Sequence, residues 1–349
     1  MFKEKKKPYA KYLFNFSSSY SGGGLKRLTA YIEWFNKNGG AHFIVNNKLR
    51  GKLDSFSSNT YHYVSITHFQ KLINTQRYVD VAIKEMGKCE VYYSYNIPIK
   101  KNAAQAKWFH LSNVLPFTSM SKVNIPCRRI IELWWLGILT KKGFQYSDFV
   151  SAESIFSLQL LSLENNIKST VSVNGSDQEL GLISRSSPGT VTKNIAVIIG
   201  TYHHKNLIDS YKIYSYLKLN NSELKLIIIG DIGTVPLSIK DDPQVELKGV
   251  IDHEDIINVL SRSRFYINTS KVENSWNAAS EGVFLAKESF ISKIMPHCEL
   301  LQGSTMNTLH HLDTFHPIIH ISRDNSNSDK LETWDEIITT MNEFINNNK

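Results

Sequence analysis

The sequence predicts an α/β protein made of two Rossmann-like domains, and three observations carry that expectation. In residues 194–330 the runs Ile195–Ile199 and Leu224–Ile229 are apolar almost without a break, as strands covered on both faces must be, and a helix-length segment separates them. The first half repeats strand, turn and helix in the same order from Tyr12 onward. Between the halves, residues 176–193 are rich in Ser and hold Pro188-Gly189, the composition of a linker. With 349 residues, 42% of them hydrophobic, the chain is long enough for two cores of ordinary size. It thus divides into a first domain of residues 1–175, the linker 176–193, a second domain of residues 194–330 and a closing segment of residues 331–349.

Composition excludes several classes. Cys89, Cys127 and Cys298 are scattered, with no CxxC pair, so there is neither a disulfide frame nor a zinc site, and a reducing cytoplasm fits. Met1–Lys11 is basic but has no apolar signal core, and no window reaches the roughly 20 apolar residues of a membrane span. The protein is expected to be soluble or peripheral. Its net charge of +8 is unevenly spread: residues 1–175 carry 24 Lys+Arg against 10 Asp+Glu, and residues 176–349 carry 16 against 22. The first half therefore faces anions, whether nucleic acid, an acidic membrane surface or a diphosphate-linked lipid.

In chain order, Lys3, Lys5, Lys6, Lys7 and Lys11 with Tyr9 and Tyr12 form either a headgroup-binding tail or a solvated one. Tyr12–Phe16 reads as the first strand, Gly22-Gly23-Gly24 as a turn, and Leu25, Leu28, Ile32 and Phe35 as one face of a helix ending at Gly39-Gly40. Such a turn lets a ligand approach the backbone and aims a helix start at it. Ala41–Val45 is the next strand. Tyr61–Ile66 reads as a strand and Phe69–Met86 as a helix, then Glu90–Tyr95 and Lys107–Leu111 as strands broken apart by Ile97-Pro98. His110 then stands at the C-terminal end of a strand, where ligands gather in open α/β sheets; a buried structural histidine is the plainer use. Ile130–Leu139, with Trp134-Trp135 between Arg128-Arg129 and Lys141-Lys142, is a helix that either packs in the first domain or lies in a membrane interface. Tyr146–Glu153 reads as a strand, Ser154–Leu163 as a helix, and Thr170–Val173 closes the domain at Asn174-Gly175.

Past the linker, the strand Ile195–Ile199 is followed by His203, His204 and Lys205 in a turn and a helix to about Leu219. Two adjacent histidines with no third ligand at metal spacing give no metal site. After Leu224–Ile229, a short strand ends at Lys248-Gly249, Asp252–Ser263 makes a helix with Ile256, Ile257 and Leu260 inward, and Phe265–Ile267 is a buried strand. Ser289–Ile294 is the next strand, followed by a turn at Pro296–Leu301, and Leu331, Trp334, Ile337, Ile338, Met341 and Phe344 mark a last helix.

The segment Arg262–Lys293 organises the rest. The polar stretch Asn268–Val272 ends its strand, Asn274 or Ser275 can cap a helix, and Trp276–Lys287 is that helix. A helix turns about 100° per residue, so Glu273 and Glu281, eight apart, would diverge by roughly 80° if both were helical; they can meet one ligand only if Glu273 precedes the helix. Bare amides attract phosphate, and two carboxylates suit the hydroxyls of a sugar and a ribose. The plainer alternative is a loop Glu and a solvated helix Glu.

This Glu273-x7-Glu281 motif between a strand and a helix resembles the signature of the retaining GT-B glycosyltransferases, family 4 in particular. The resemblance spans nearly the whole chain and is specific in residues 194–300. It implies two Rossmann-like domains facing across a cleft, and transfer of a hexose-type sugar from a nucleoside diphosphate sugar to a hydroxyl with retention. Glu273 would act at the donor sugar with the backbone from Ser275 through Trp276 to Asn277, Glu281 would hold the ribose, and Gly23, Gly24, Lys205 and Asn274 would face the diphosphate. The segment WFHLSNVLPF is similar to one that places a His, here His110, near the reacting sugar. The family's Arg soon after the first strand of the second domain is missing, with Thr201 nearest its place. The last helix would cross back onto the first domain. No cofactor or metal is implied beyond a UDP- or GDP-sugar donor. The cationic first half adds, as an expectation, a lipid-diphosphate-linked oligosaccharide acceptor on the inner face of the cytoplasmic membrane, as in bacterial surface polysaccharide (O-antigen or capsule) synthesis. A sugar-nucleotide epimerase of related fold and a non-catalytic sugar-nucleotide or nucleic-acid binder stay open.

Overall fold

The computed structural model describes residues 11–66, 75–86, 89–118, 125–163, 166–175, 193–275, 277–296, 307–309, 313–323 and 331–348. Its chain forms two compact units, one of Met1–Thr118, Pro126–Asn174 and Trp334–Lys349, the other of Ser119–Ile125 and Gly175–Thr333.

The first unit grows outward from β1 (Tyr12–Phe16), whose five residues are all buried. Around it run β2 (His42–Asn46), β3 (Thr60–Val64), β4 (Val91–Tyr95), β5 (Ala106–Leu111), β6 (Phe149–Ala152) and β7 (Lys168–Val171), in the order β3-β2-β1-β4-β5-β6-β7 with every pairing parallel. Parallel neighbours need crossovers, which α1 (Gly22–Lys37), α2 (Thr75–Met86), α3 (Cys127–Gly143) and α4 (Ile155–Leu161) supply. The core is aromatic: Phe14 stacks on Phe43 at 5.2 Å and meets Phe35 at 4.8 Å, and Tyr93 meets Trp108 edge-on at 4.5 Å. One face of α1 buries Leu28, Ile32 and Phe35 as its spacing predicts, and with them Arg27 and Tyr31.

In the second unit β8 (Lys193–Ile199), α5 (Leu207–Leu219), β9 (Lys225–Ile229), α6 (Leu237–Lys240), β10 (Val245–Gly249), α7 (His253–Ser261), β11 (Ser263–Asn268), α8 (Asn277–Leu285) and β12 (Glu288–Ser292) alternate, as the sequence predicts for all but the short α6. The sheet order is β10-β9-β8-β11-β12-β14-β13, where β13 (Asn307–Leu309) and β14 (Ile318–Ser322) add an antiparallel edge the sequence did not announce. The core here is aliphatic, built on Val197, Ile227, Ile229 and Val283 on one face of the sheet and on Ile198, Ile213, Leu226 and Ile228 on the other.

The closing helix α9 (Trp334–Asn348) buries Ile337, Ile338, Met341 and Ile345 in the core of the first unit. Leu331, assigned to its apolar face from the sequence, packs instead among the second unit's residues, three positions before the helix begins. The predicted linker apart from Lys193, the predicted helix before Thr75, the lysines ahead of Lys11 and the turn after Pro296 fall outside the described residues, except for Pro296 itself. Lys11 is described, and its ammonium donates to Asn346 Oδ1 of α9 at 2.5 Å.

Helix α8 reaches its place through Gly282, because a Cβ there would lie 2.1 Å from Cδ1 of the buried Tyr266 ring on β11. Helix and strand touch backbone to ring, and an alanine cannot be admitted without moving α8 or the Tyr266 ring. Ala is the better helix former by about 1 kcal/mol, so propensity alone favours Gly282→Ala. We expect the overpacking, about 1–3 kcal/mol, to win, with a net loss of up to about 2 kcal/mol in urea unfolding. Unchanged or increased stability would disprove the contact.

Candidate active site

The C-terminal ends of β8 and β11 carry the polar residues singled out in the sequence. After β8, Gly200 turns with φ +89 and a one-turn helix holds His203–Lys205. After β11, Asn268 Oδ1 accepts from Ser270 N at 3.1 Å and Ser270 Oγ at 2.7 Å, an Asx turn that stops the strand. The two loops are stitched together. Lys271 N donates to His204 O at 2.8 Å, Thr269 Oγ1 donates to Asn206 O at 2.8 Å, and Ser210 Oγ lies 2.8 Å from Thr269 Oγ1. Across the stitch, Lys205 Nζ donates to Glu273 Oε2 at 2.5 Å, and Ser270 Oγ reaches the same oxygen at 3.2 Å. A third loop joins through Asp209, which accepts from Phe315 N at 2.8 Å and from Asn206 Nδ2 at 2.7 Å. Burial works against the charge of Asp209, and these donors with Lys212 overcome it and hold its pKa below the ordinary value.

Glu273 precedes α8, and Glu281 lies within it. Glu281 is 6% exposed and meets His253 Nε2, at the start of α7, at 2.8 Å. The sealed Tyr266 hydroxyl accepts from Asn268 Nδ2 at 3.0 Å, and its pKa is raised by burial first and then by the charges of Glu281 and Glu273. Asn274 is buried and Asn277 opens α8; Ser275 stands between them, and Trp276 lies outside the described residues. Thr201, nearest the place of the missing arginine, is buried, with Oγ1 donating to Asp231 O at 3.0 Å. The loop's other cation, Lys271, has its ammonium 5.0 Å from the centre of the Phe315 ring.

In the first unit the expected glycine turn is itself the start of α1, with Ser21 ahead of it and no side-chain cap. Gly22 and Gly23 are exposed, whereas a Cβ on Gly24 would sit 3.1 Å from Ser19 Oγ and 3.3 Å from the Tyr95 ring. Gly24 thus meets a packing demand whether or not a ligand binds. His110 on β5 is fully sealed, stacked on Tyr95 at 5.6 Å, with Nδ1 2.8 Å from Ser151 Oγ. The Trp108 indole, which can only donate, also reaches Ser151 Oγ at 2.7 Å. We therefore assign the Ser151 hydrogen to His110 Nδ1 and the imidazole proton to Nε2, which faces Glu153 Oε1 at 3.8 Å. Burial, and then Arg27, lowers the pKa of His110 well below the ordinary value, so the ring is neutral.

Sequence reasoning missed Arg27 and His253, and it read the break at Asn268 without the Asx turn that makes it or the contact with Tyr266. Arg27, Tyr31 and Phe35 do share a helical stripe, a signal that was present but read only for its apolar members. Among the described residues no group of three His, Cys, Asp or Glu could hold a metal ion.

No protein-family model matches the sequence, and no curated protein matches it. Solved structures do match. Sucrose-phosphate synthase from Thermosynechococcus elongatus superposes with a TM-score of 0.69 over 97% of this chain and 98% of its own, at 10% identity. The Anabaena protein HepE, in complex with UDP and glucose, gives 0.56 over 97% and 90%, at 13% identity. An α,α-trehalose-phosphate synthase (UDP-forming) from Burkholderia xenovorans, in complex with glucose-6-phosphate, gives 0.56 over 84% and 87%, at 8% identity. At such identities the likeness is one of fold: two parallel-dominated α/β units of the GT-B glycosyltransferase type.

His204 lies beside the Lys205–Glu273 pair, and its pKa is pushed from 6.5 down to about 4 by burial first and then by Lys205, against the pull of Glu273. Below pH 6.5 the unfolded chain takes up a proton that the folded chain refuses. Stability therefore falls as pH drops from 6.5 to about 4, and His204 contributes on the order of 3 kcal/mol to that loss. His110 adds to it in the same direction. Denaturant unfolding of His204→Gln should show a shallower slope in this window than the parent, while coincident curves would mean that the ring is not held neutral.

Proposed function

We propose that the chain is a retaining glycosyltransferase, moving a hexose-type sugar from a UDP- or GDP-sugar to a hydroxyl of a lipid-linked oligosaccharide, in the manner of bacterial surface polysaccharide assembly. The observation that carries the proposal is the stitched loop pair, which puts one ammonium, Lys205, against one loop carboxylate, Glu273. The second carboxylate, Glu281 of α8, is steadied by His253 at the start of α7. An ammonium at strand ends can take up charge developing on a leaving diphosphate, and preorganised stabilisation of that kind supplies much of the rate enhancement in many enzymes. Glu273 would orient the donor sugar and Glu281 the ribose, with Asn274, Ser275, Trp276 and Asn277 bordering the sugar. Lys271 would supply the second cation in place of the missing arginine. The solved GT-B enzymes of like fold, HepE with its bound UDP and glucose among them, lend support.

His110, being sealed and neutral, would act as a positioning residue, holding Ser151 and Tyr95 beneath the strand ends. The +14 balance of residues 1–175, from 24 Lys+Arg against 10 Asp+Glu, favours an anionic acceptor such as a diphosphate-linked lipid. A place at the inner face of the cytoplasmic membrane follows from that acceptor.

Incubation with a panel of UDP-, GDP- and dTDP-sugars should release nucleoside diphosphate from one of them. Glu273→Ala and Lys205→Ala should each lower kcat by about 10²–10³-fold, and Glu281→Gln should chiefly raise the donor KM. NMR of the product should show the donor's anomeric configuration kept. Binding without release, or a Glu273→Ala variant of undiminished rate, would refute the proposal.

A further inference from the structure

Helix α3 of the first unit is amphipathic the wrong way round for a helix that only packs. Its buried positions are Leu133, Gly137, Thr140 and Gly143, mostly small residues. A Cβ on Gly137 would lie 2.8 Å from Pro116 O, and one on Gly143 2.9 Å from Ile99 O, so the helix is seated backbone to backbone on that side. Leu133 is the one large apolar side chain buried there, while three others point the other way. Ile131 is 60% exposed, Trp134 57% and Trp135 48%, and the two indoles touch each other, 5.5 Å apart and tilted by 69°. The hydrophobic effect puts bulk inside and small residues outside, so a stripe that reverses this marks a surface meant to be covered.

The charge around the stripe indicates what covers it. Arg128 and Arg129 stand at its N-terminal end, sharing Glu132, and Lys141 and Lys142 stand exposed at its C-terminal end. Residues 131, 134, 135, 138 and 142 follow helical spacing, so the apolar patch and Lys142 share one face. Lys141 and Lys142 also border a cavity of about 890 Å³, together with Lys168 and Gln145. A second copy of the chain docked about a twofold axis would bring these cations onto their own kind. An anionic bilayer meets both demands, taking indoles at headgroup depth and lipid phosphates beside the cations. No described helix is long and apolar enough to cross a membrane, so α3 would lie along the surface.

We infer that the outer face of α3, centred on Ile131, Trp134 and Trp135 and flanked by Arg128, Lys141 and Lys142, docks on an anionic phospholipid surface. This deepens the proposed lipid-linked acceptor and rests on that reading for its purpose, although its geometry stands apart from it.

The test is flotation of the full chain with vesicles of phosphatidylcholine alone or with about one-quarter phosphatidylglycerol. Binding should require the anionic lipid and fade at about 1 M salt, where screening reaches only about 3 Å. Tryptophan emission should shift to the blue on binding. Trp134→Ser/Trp135→Ser and Lys141→Gln/Lys142→Gln should each weaken partition about tenfold or more, with thermal unfolding and donor turnover on a soluble acceptor unchanged. No binding to anionic vesicles, or equal binding by the Trp double variant, would overturn the inference. So would light scattering that shows a dimer abolished by Trp134→Ser/Trp135→Ser, which would assign the face to a second copy. Vesicle binding with no nucleoside diphosphate release from any donor would leave this surface standing and remove the glycosyltransferase reading; turnover without vesicle binding would do the reverse.

Discussion

The pair between Lys205 and Glu273 is the contact on which the candidate site depends, because it ties together loops that leave two adjacent parallel strands. Each side chain is partly buried, so each charge gives up some of its water and recovers that cost from its partner. Glu273 recovers it from Lys205, beside a Ser270 whose one hydroxyl hydrogen is held by Asn268 Oδ1 and whose carbonyl accepts from Ser292 Oγ at 3.1 Å. An arriving diphosphate would therefore have to share an ammonium that is already engaged, and Glu273 would then be freer to meet a sugar hydroxyl. Removing either partner also strands the other charge, so a single substitution measures more than the one interaction it deletes.

Both units end an inner strand with the same device. Asn15 Oδ1 accepts from Ser17 N and Oγ while its amide donates to Tyr92 OH at 2.8 Å; Asn268 does the same with Ser270 and with Tyr266 OH at 3.0 Å. A carboxamide suits this task because it offers two acceptor sites and two donors, and satisfies the chain reversal and a sealed tyrosine together. What differs is the filling. The first unit packs aromatic rings around Phe14, whereas the second packs Ile, Leu and Val, as the tighter pattern of its strands indicated.

The strands were legible because a sheet covered on both faces leaves no polar positions to blur the pattern: β1 and β9 are buried throughout or nearly so, and both were read to within a residue. Glu273 ahead of α8 was legible from the polar break that must end β11. The antiparallel edge was not read, since β13 spans only Asn307–Leu309, and although Ile318, Ile319 and Ile321 mark β14 as a strand, no local pattern gives its direction in the sheet. Leu331 misled because it falls in phase with the apolar residues of α9, although the chain has not yet become helical there. His253 escaped notice because its partner lies 28 residues away, and spacing rules see only neighbours within a turn or two. Arg27 escaped because a charge on a helix is presumed to be solvated unless a partner is known.

Arg27 explains how the first unit keeps a chain that leaves it and returns. The unit's middle segment ends at Asn174, and the chain comes back at Trp334. The sealed Arg27 guanidinium donates to Ser172 O at 2.8 Å, Val173 O at 2.7 Å and Asn174 Oδ1 at 3.1 Å, and lies 5.4 Å from the centre of the Trp334 ring. Glu153, at 3.9 Å, balances its charge. A lysine could not take this place, because one ammonium cannot present a planar fork to three acceptors and a flat face to an indole. The same charge bears on the neighbouring His110 and helps to hold it neutral. One buried cation therefore fixes the exit of the chain, its re-entry and the protonation of a ring at the strand ends.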